Sequence, residues 1–139
     1  MAADRRETVT EQPTSTPVTD TMAYRVATDL RALRAFVCAG ALARGLPPER
    51  VDLLALAVSE LATNTLQHTT GGGQVRLWAE AGHLFCDIVD QGPTRSFGRA
   101  MPAAEAVRGR GLAIVEQVCD EVAVFGTPEG TVVRIRLGL

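Results

Sequence analysis

The chain has 139 residues, 46% of them hydrophobic and 22% charged, with a formal net charge of −2. That length and apolar content suit one domain with a real core and are too small for two. The near-neutral balance gives no electrostatic case for direct nucleic-acid binding or an anionic membrane. No apolar run approaches the roughly 20 residues of a membrane span. The first seven residues, Met1 to Glu7, lack the apolar core of a signal peptide, so a cytoplasmic location is expected. All fourteen basic residues are arginine. A Walker P-loop and a protein-kinase fold both place a lysine at the phosphates, so neither operates here. Cys38, Cys86 and Cys119 lie far apart in apolar segments, which predicts free thiols and neither a disulfide nor a metal site.

Residues 1–20 are polar, rich in Thr and Pro and without period, and read as a disordered tail before a domain over 21–139. Met22 to Val26 reads as a short strand. Thr28 is placed to cap a helix to about Arg44, with Leu30, Leu33, Val37 and Ala41 on one face. Gly45-Leu46-Pro47-Pro48 breaks it. A second helix runs from about Pro48 to about Thr69, its apolar face holding Val51, Leu54, Val58, Leu61 and Thr65. Gly71-Gly72-Gly73 ends it. Strands follow over Gln74 to Glu80 and His83 to Asp90, each alternating apolar and polar residues, with Ala81-Gly82 as a hairpin turn. Gln91 to Arg108 has no sustained period and is too long for an idle connection, so a functional loop is expected. Its arginines, Arg95 and Arg99 among them, would order it over a phosphate ligand. A third helix is expected over about Gly111 to Asp120. A last hairpin joins Glu121–Phe125 to Thr131–Leu137. The order predicts an α/β two-layer sandwich, helices on one face of a mainly antiparallel mixed sheet.

Three segments carry candidate chemistry. Glu60, Asn64 and His68 are spaced by four, one above another on the second helix. A solvated face is the commoner meaning of an isolated E-x-x-x-N. The functional meaning is that Asn64 offers magnesium a neutral oxygen beside phosphates, while Glu60, one turn away, accepts a proton from an attacking hydroxyl. His68 lies two turns from Glu60 and reads as structural. Asp90-Gln91-Gly92 closes a strand. An aspartate turn is its bland meaning, and a carboxylate accepting from an adenine amino group, with Gly92 allowing close approach, its functional one. Gly109-Arg110-Gly111-Leu112 opens a helix. It is either a plain junction or a set of free N–H groups for phosphate oxygens, flanked by Arg108 and Arg110.

In this order and spacing the three segments resemble the N, G1 and G2 boxes of the GHKL ATPases, the superfamily of gyrase and the histidine kinases. Gly130-Thr131 is similar to that family's last glycine box. The resemblance covers about residues 27–137 and implies a Bergerat-type ATP-binding fold. Val58-Ser59-Glu60-Leu61-Ala62-Thr63-Asn64 and the short length look like the bacterial anti-sigma-factor serine/threonine-protein kinases. Those proteins hold a sigma factor inactive and phosphorylate a small antagonist protein. The resemblance implies ATP and Mg2+ as cofactors and a possible homodimer. It makes Glu60 the general base, Asn64 the metal ligand and Asp90 the adenine anchor. Gly92, Gly109, Gly111 and Leu112 would shape the pocket, Arg108 and Arg110 would meet phosphates, and Thr131 would lie near adenine. Thr94 stands where the family often has a second glycine, and the lid is short. The alternative is a catalytically degenerate GHKL-fold binding module acting only through protein contacts.

Overall fold

The computed structural model describes residues 17–68, 71–90, 120–128 and 130–139, with His68 described by its backbone alone. The chain order is β1 (Asp20–Tyr24), α1 (Asp29–Ala43), α2 (Pro48–His68), β2 (Gly73–Glu80), β3 (His83–Asp90), β4 (Glu121–Thr127) and β5 (Gly130–Gly138). The strands form one five-stranded sheet in the order β1-β2-β3-β5-β4. Every pairing in it is antiparallel. Two helices lie on one face, so the α/β two-layer sandwich expected from the pattern is the observed fold. The sheet is described as antiparallel throughout, with no parallel pair among the described residues. The expected third helix and the loop from Gln91 to Arg108 fall outside the described residues.

Helix α1 buries Leu33, Val37 and Ala41. Helix α2 buries Val51, Leu54, Val58 and Leu61, joined by Ala55, Ala57 and Ala62. Small alanines let α2 approach the sheet, whose facing side chains include Val75, Leu77, Leu84, Cys86, Ile88, Ile135 and Leu137. The two periodicities therefore meet in one core, 3.6 on the helices and 2 on the strands. Burial pushes the Cys86 thiol well above its usual range, with Asp87 adding to the effect. Cys86 therefore packs as a small apolar group.

Several boundaries differ from the sequence expectation. The first strand begins at Asp20, inside the stretch assigned to the tail, because Asp20 pairs opposite Leu77 on β2. The Arg44 guanidinium reaches the Asp20 carboxylate at 2.9 Å and fastens that strand to the end of α1. Thr28 occupies the N-cap position but makes no side-chain capping bond. Asp29 ties down the turn before the helix: its carboxylate accepts from the backbone N–H of Arg25 at 2.8 Å and of Val26 at 3.1 Å. Those two bonds hold the Asp29 carboxyl below the usual carboxylate range. At the β2–β3 turn both Ala81 and Gly82 have positive φ, 53° and 80°. That is the paired left-handed geometry favoured in two-residue hairpins.

The triple glycine does more than end a helix. Gly72, with φ of 69°, lies against the backbone of Tyr24 and Arg25. Gly73 is the first residue of β2, paired with both Tyr24 and Asp90. A Cβ there would collide with the Val89 carbonyl and stand 2.7 Å from the Tyr24 hydroxyl.

The other sheet face has its own polar centre. Asp87 on β3 is 2% exposed and takes a bidentate pair from Arg134 on β5, at 2.8 and 2.9 Å. The Arg134 guanidinium also lies 5.2 Å from the ring centres of Trp78 and of Phe125. Trp78 in turn stacks on Phe85 at 5.2 Å. Removing the arginine strands a buried carboxylate, whereas removing the carboxylate leaves a cation that can turn to water. Arg134→Ala is expected to cost about 3 kcal/mol of unfolding free energy in urea titrations, and Asp87→Ala distinctly less.

Candidate functional site

The site lies at one end of the sheet, on its helix-covered face. Tyr24, Gly73 and Asp90 form a row across β1, β2 and β3. Val89 pairs with Val132, which sets Thr131 of β5 next to Asp90 as that ladder continues. By strand alternation the row shares a face with Val75, Leu77, Cys86, Ile88, Val133 and Ile135, the residues that meet the helices. Helix α2 brings Asn64 and Thr65 to this end, with Glu60 one turn earlier.

Asn64 is 6% exposed, so the solvated-face reading of the Glu60-Asn64 spacing fails at its second residue. Its Nδ2 is buried and makes no hydrogen bond among the described residues. An unpaired buried amide costs stability on the order of 1–3 kcal/mol, which a ligand can recover. Glu60 is half-buried, on the same helix. Thr131 is buried and Asp90 half-buried at the neighbouring strand ends. Asp90 and Thr65 also make interactions within the protein.

Asp90 and Thr131 thus stand at neighbouring strand ends, and Asn64 is buried on α2 with Glu60 one turn earlier. Gly92, Arg108, Gly109, Arg110, Gly111 and Leu112 lie outside the described residues, and so does the side chain of His68. Sequence reasoning did not single out Tyr24. The signal available for it was a lone tyrosine opposite a triple glycine, meaningful only once the strand pairing is known.

Among the described residues no three His, Cys, Asp or Glu side chains converge on a metal site. The donors present fit a magnesium ion held by one protein oxygen, that of Asn64, together with the ligand's own phosphate oxygens and water. They do not fit an all-protein metal cage.

A two-layer sandwich of two helices on an antiparallel five-stranded sheet is consistent with the GHKL ATPase-like fold. Residues 24–137 match the family model described as the histidine kinase-like ATPase domain, and the chain belongs to that family. Among solved structures it is similar to the RsbU and RsbW domains of Rv1364c from Mycobacterium tuberculosis, with 18% identity and a TM-score of 0.60. That match covers 89% of this chain and 32% of the other, so the chain spans about a third of its neighbour's length. At that identity the likeness is one of fold. No curated protein matches the sequence. No described helix is long and apolar enough to cross a membrane.

The buried amide gives a test without any assumption about the reaction. Asn64→Leu removes an unsatisfied polar group at similar volume, so the ligand-free protein should melt at the same temperature or a few degrees higher. A rise in melting temperature is expected for wild type on adding ATP, and it should vanish in the variant.

Proposed function

We propose that the protein is an ATP-dependent serine/threonine-protein kinase of the anti-sigma-factor type. In this reading it holds a sigma factor and transfers phosphate from ATP to a small antagonist protein. The observation that carries the reading is the Asn64 side chain, buried with its Nδ2 unpaired, on the same helix as a carboxylate one turn away at Glu60. A protein-binding scaffold has no use for a buried amide left without a partner beside a carboxylate. Membership of the histidine kinase-like ATPase family supports ATP as the nucleotide.

Asp90 accepts a hydrogen bond from the exocyclic amine of adenine, and Thr131 lies alongside the base. Asn64 presents its side-chain oxygen to Mg2+, which supplies neutralisation of phosphate charge. Glu60 takes the proton from the hydroxyl of the partner's serine or threonine as that oxygen bonds to the γ-phosphorus. The bond from the γ-phosphorus to the bridging oxygen breaks, and ADP leaves. Arg108 and Arg110 pair with phosphate oxygens, and Gly92, Gly109, Gly111 and Leu112 let the chain close around them. The sequence resemblance also supports a homodimer and a cytoplasmic setting.

Incubation with magnesium, labelled ATP and candidate antagonist proteins should place phosphate on a partner serine or threonine. Wild type that binds ATP but labels no partner would instead identify a degenerate module acting through protein contacts. Glu60→Ala should lower transfer on the order of 10²-fold or more while leaving much of the nucleotide affinity, since a base acts in the transition state. Asn64→Ala should lower both. Calorimetry on Asp90→Asn should show weakened ATP binding, because an amide turned toward the base no longer offers two equivalent acceptors. Transfer by Glu60→Ala at the wild-type rate would remove Glu60 from its role.

A further inference from the structure

The residue that the site description leaves without a task is Tyr24. It is 1% exposed, yet its hydroxyl makes no hydrogen bond among the described residues. A phenol buried in this way normally finds a partner. Burial as an aliphatic-core filler does not account for it, because phenylalanine would fill the same volume without an unpaired hydroxyl.

The strand register shows where the hydroxyl points. Tyr24 and Asp90 flank Gly73 in one row across three strands. The hydroxyl lies 2.7 Å from the place where a Gly73 Cβ would stand, so the ring leans across Gly73 in the direction of β3. Glycine is what leaves that path open. From the helix side comes Thr65, the residue after Asn64. Its hydroxyl donates to the Leu61 carbonyl at 3.2 Å, so toward the phenol it is an acceptor.

The electrostatics agree in part: burial and the Asp90 carboxylate raise the phenol, whereas the lowering by Thr65 is the effect of a donor, a role its bond to the Leu61 carbonyl takes away. Burial pushes the phenol well above its usual range, the Thr65 hydroxyl lowers it, and the Asp90 carboxylate and then Cys86 raise it. Thr65 acts on the phenol from close by without completing a hydrogen bond to it. The phenol stays protonated at any physiological pH and is available as a donor. Two groups that can accept, the Thr65 hydroxyl and the Asp90 carboxylate, both act on it. One donor and two acceptors are the set that an ordered water needs.

We propose that Tyr24 is a positioning residue for the purine end of the site: through a water shared with Thr65 it fixes the Asp90 carboxylate as an acceptor and so selects a base with an exocyclic amine. The inference rests on the reading of Asp90 as the adenine anchor. Its chemistry is that of specificity. A carboxylate held from behind by a donor keeps its outer oxygen aimed for the amine. A carboxylate that can rotate accommodates other partners at similar cost, and a site with fixed polar groups rejects the analogue that leaves them unpaired.

The test compares ATP with inosine triphosphate, which carries a 6-oxo group where adenine carries its amine. Wild type should prefer ATP. Tyr24→Phe should fold, with a thermal midpoint within a few degrees of wild type. Its ATP affinity by calorimetry should fall about fivefold, the scale of one lost hydrogen bond, with little change for inosine triphosphate. Thr65→Val should reproduce the reduced preference, and the double variant should add little to either single change. General loosening of the site would lower both nucleotides together. An equal fall for the two, or an unchanged preference, overturns the role of Tyr24 and leaves the ATP site standing. Wild type that binds neither nucleotide overturns the adenine-anchor reading and this inference with it.

Discussion

The close approach of three backbones at Gly72 and Gly73 is the constraint on which the rest of the arrangement depends. Gly72 lies against the Tyr24 and Arg25 backbone, and Gly73 against the Val89 carbonyl and the Tyr24 ring. Neither place has room for a side chain. The edge strand can therefore enter the sheet in register with β2 while its last residue still tucks beneath α2. The same register carries Asp90 to the end of β3 opposite Gly73. A side chain at Gly73 would force the edge strand and the Asp90 strand apart, and the polar row under Asn64 would lose its alignment.

The two faces of the sheet handle polarity in different ways. The outer face pairs its buried carboxylate within the protein, although the Arg136 Nε on that face is buried without a hydrogen-bond partner. Asp87 is buried but paired twice by Arg134, which lies between two aromatic rings. Such a centre makes the strands register uniquely, since a slip of one residue would turn Asp87 into the core. The helix face is apolar through most of its length and becomes polar only at one end. There the polar atoms are left partly open: the Asn64 Nδ2 and the Tyr24 hydroxyl are both buried and unpaired. Buried groups without partners are destabilising in the empty protein, and a ligand that pairs them recovers that cost.

The helix that brings Asn64 into place is held from several sides. Its start is tied to the end of β5 by Arg50, which donates to the Gly138 carbonyl at 3.0 Å. Its middle packs alanines and valines on the sheet. Arg34 on α1 donates to the Ser59 hydroxyl at 3.1 Å, one residue before Glu60. A site held on a helix fixed in this way varies little in geometry, which suits chemistry that depends on position more than on covalent participation.

Much of this was legible in the chain. Periodicity marked both long helices and the β2–β3 hairpin to within a residue or two, because amphipathic faces and a two-residue turn are local properties. The candidate set Glu60, Asn64, Asp90 and Thr131 was legible as residue types at helical and strand-end spacings. Three things were not. Thr28 has the composition of a cap but makes no capping bond, because its own backbone is already αR, with φ of −69° and ψ of −15°. Asp20 looks like tail and is strand, because its partner Leu77 is far along the chain. Tyr24 looks like an ordinary core aromatic, and its hydroxyl gains meaning only from the pairing Tyr24–Gly73–Asp90. Sequence by itself determined the elements, their buried faces and the chemistry available. The tertiary structure decided which strand ends share a row and which polar atoms remain unpaired, because strand pairing is a contact between distant residues that no local pattern encodes.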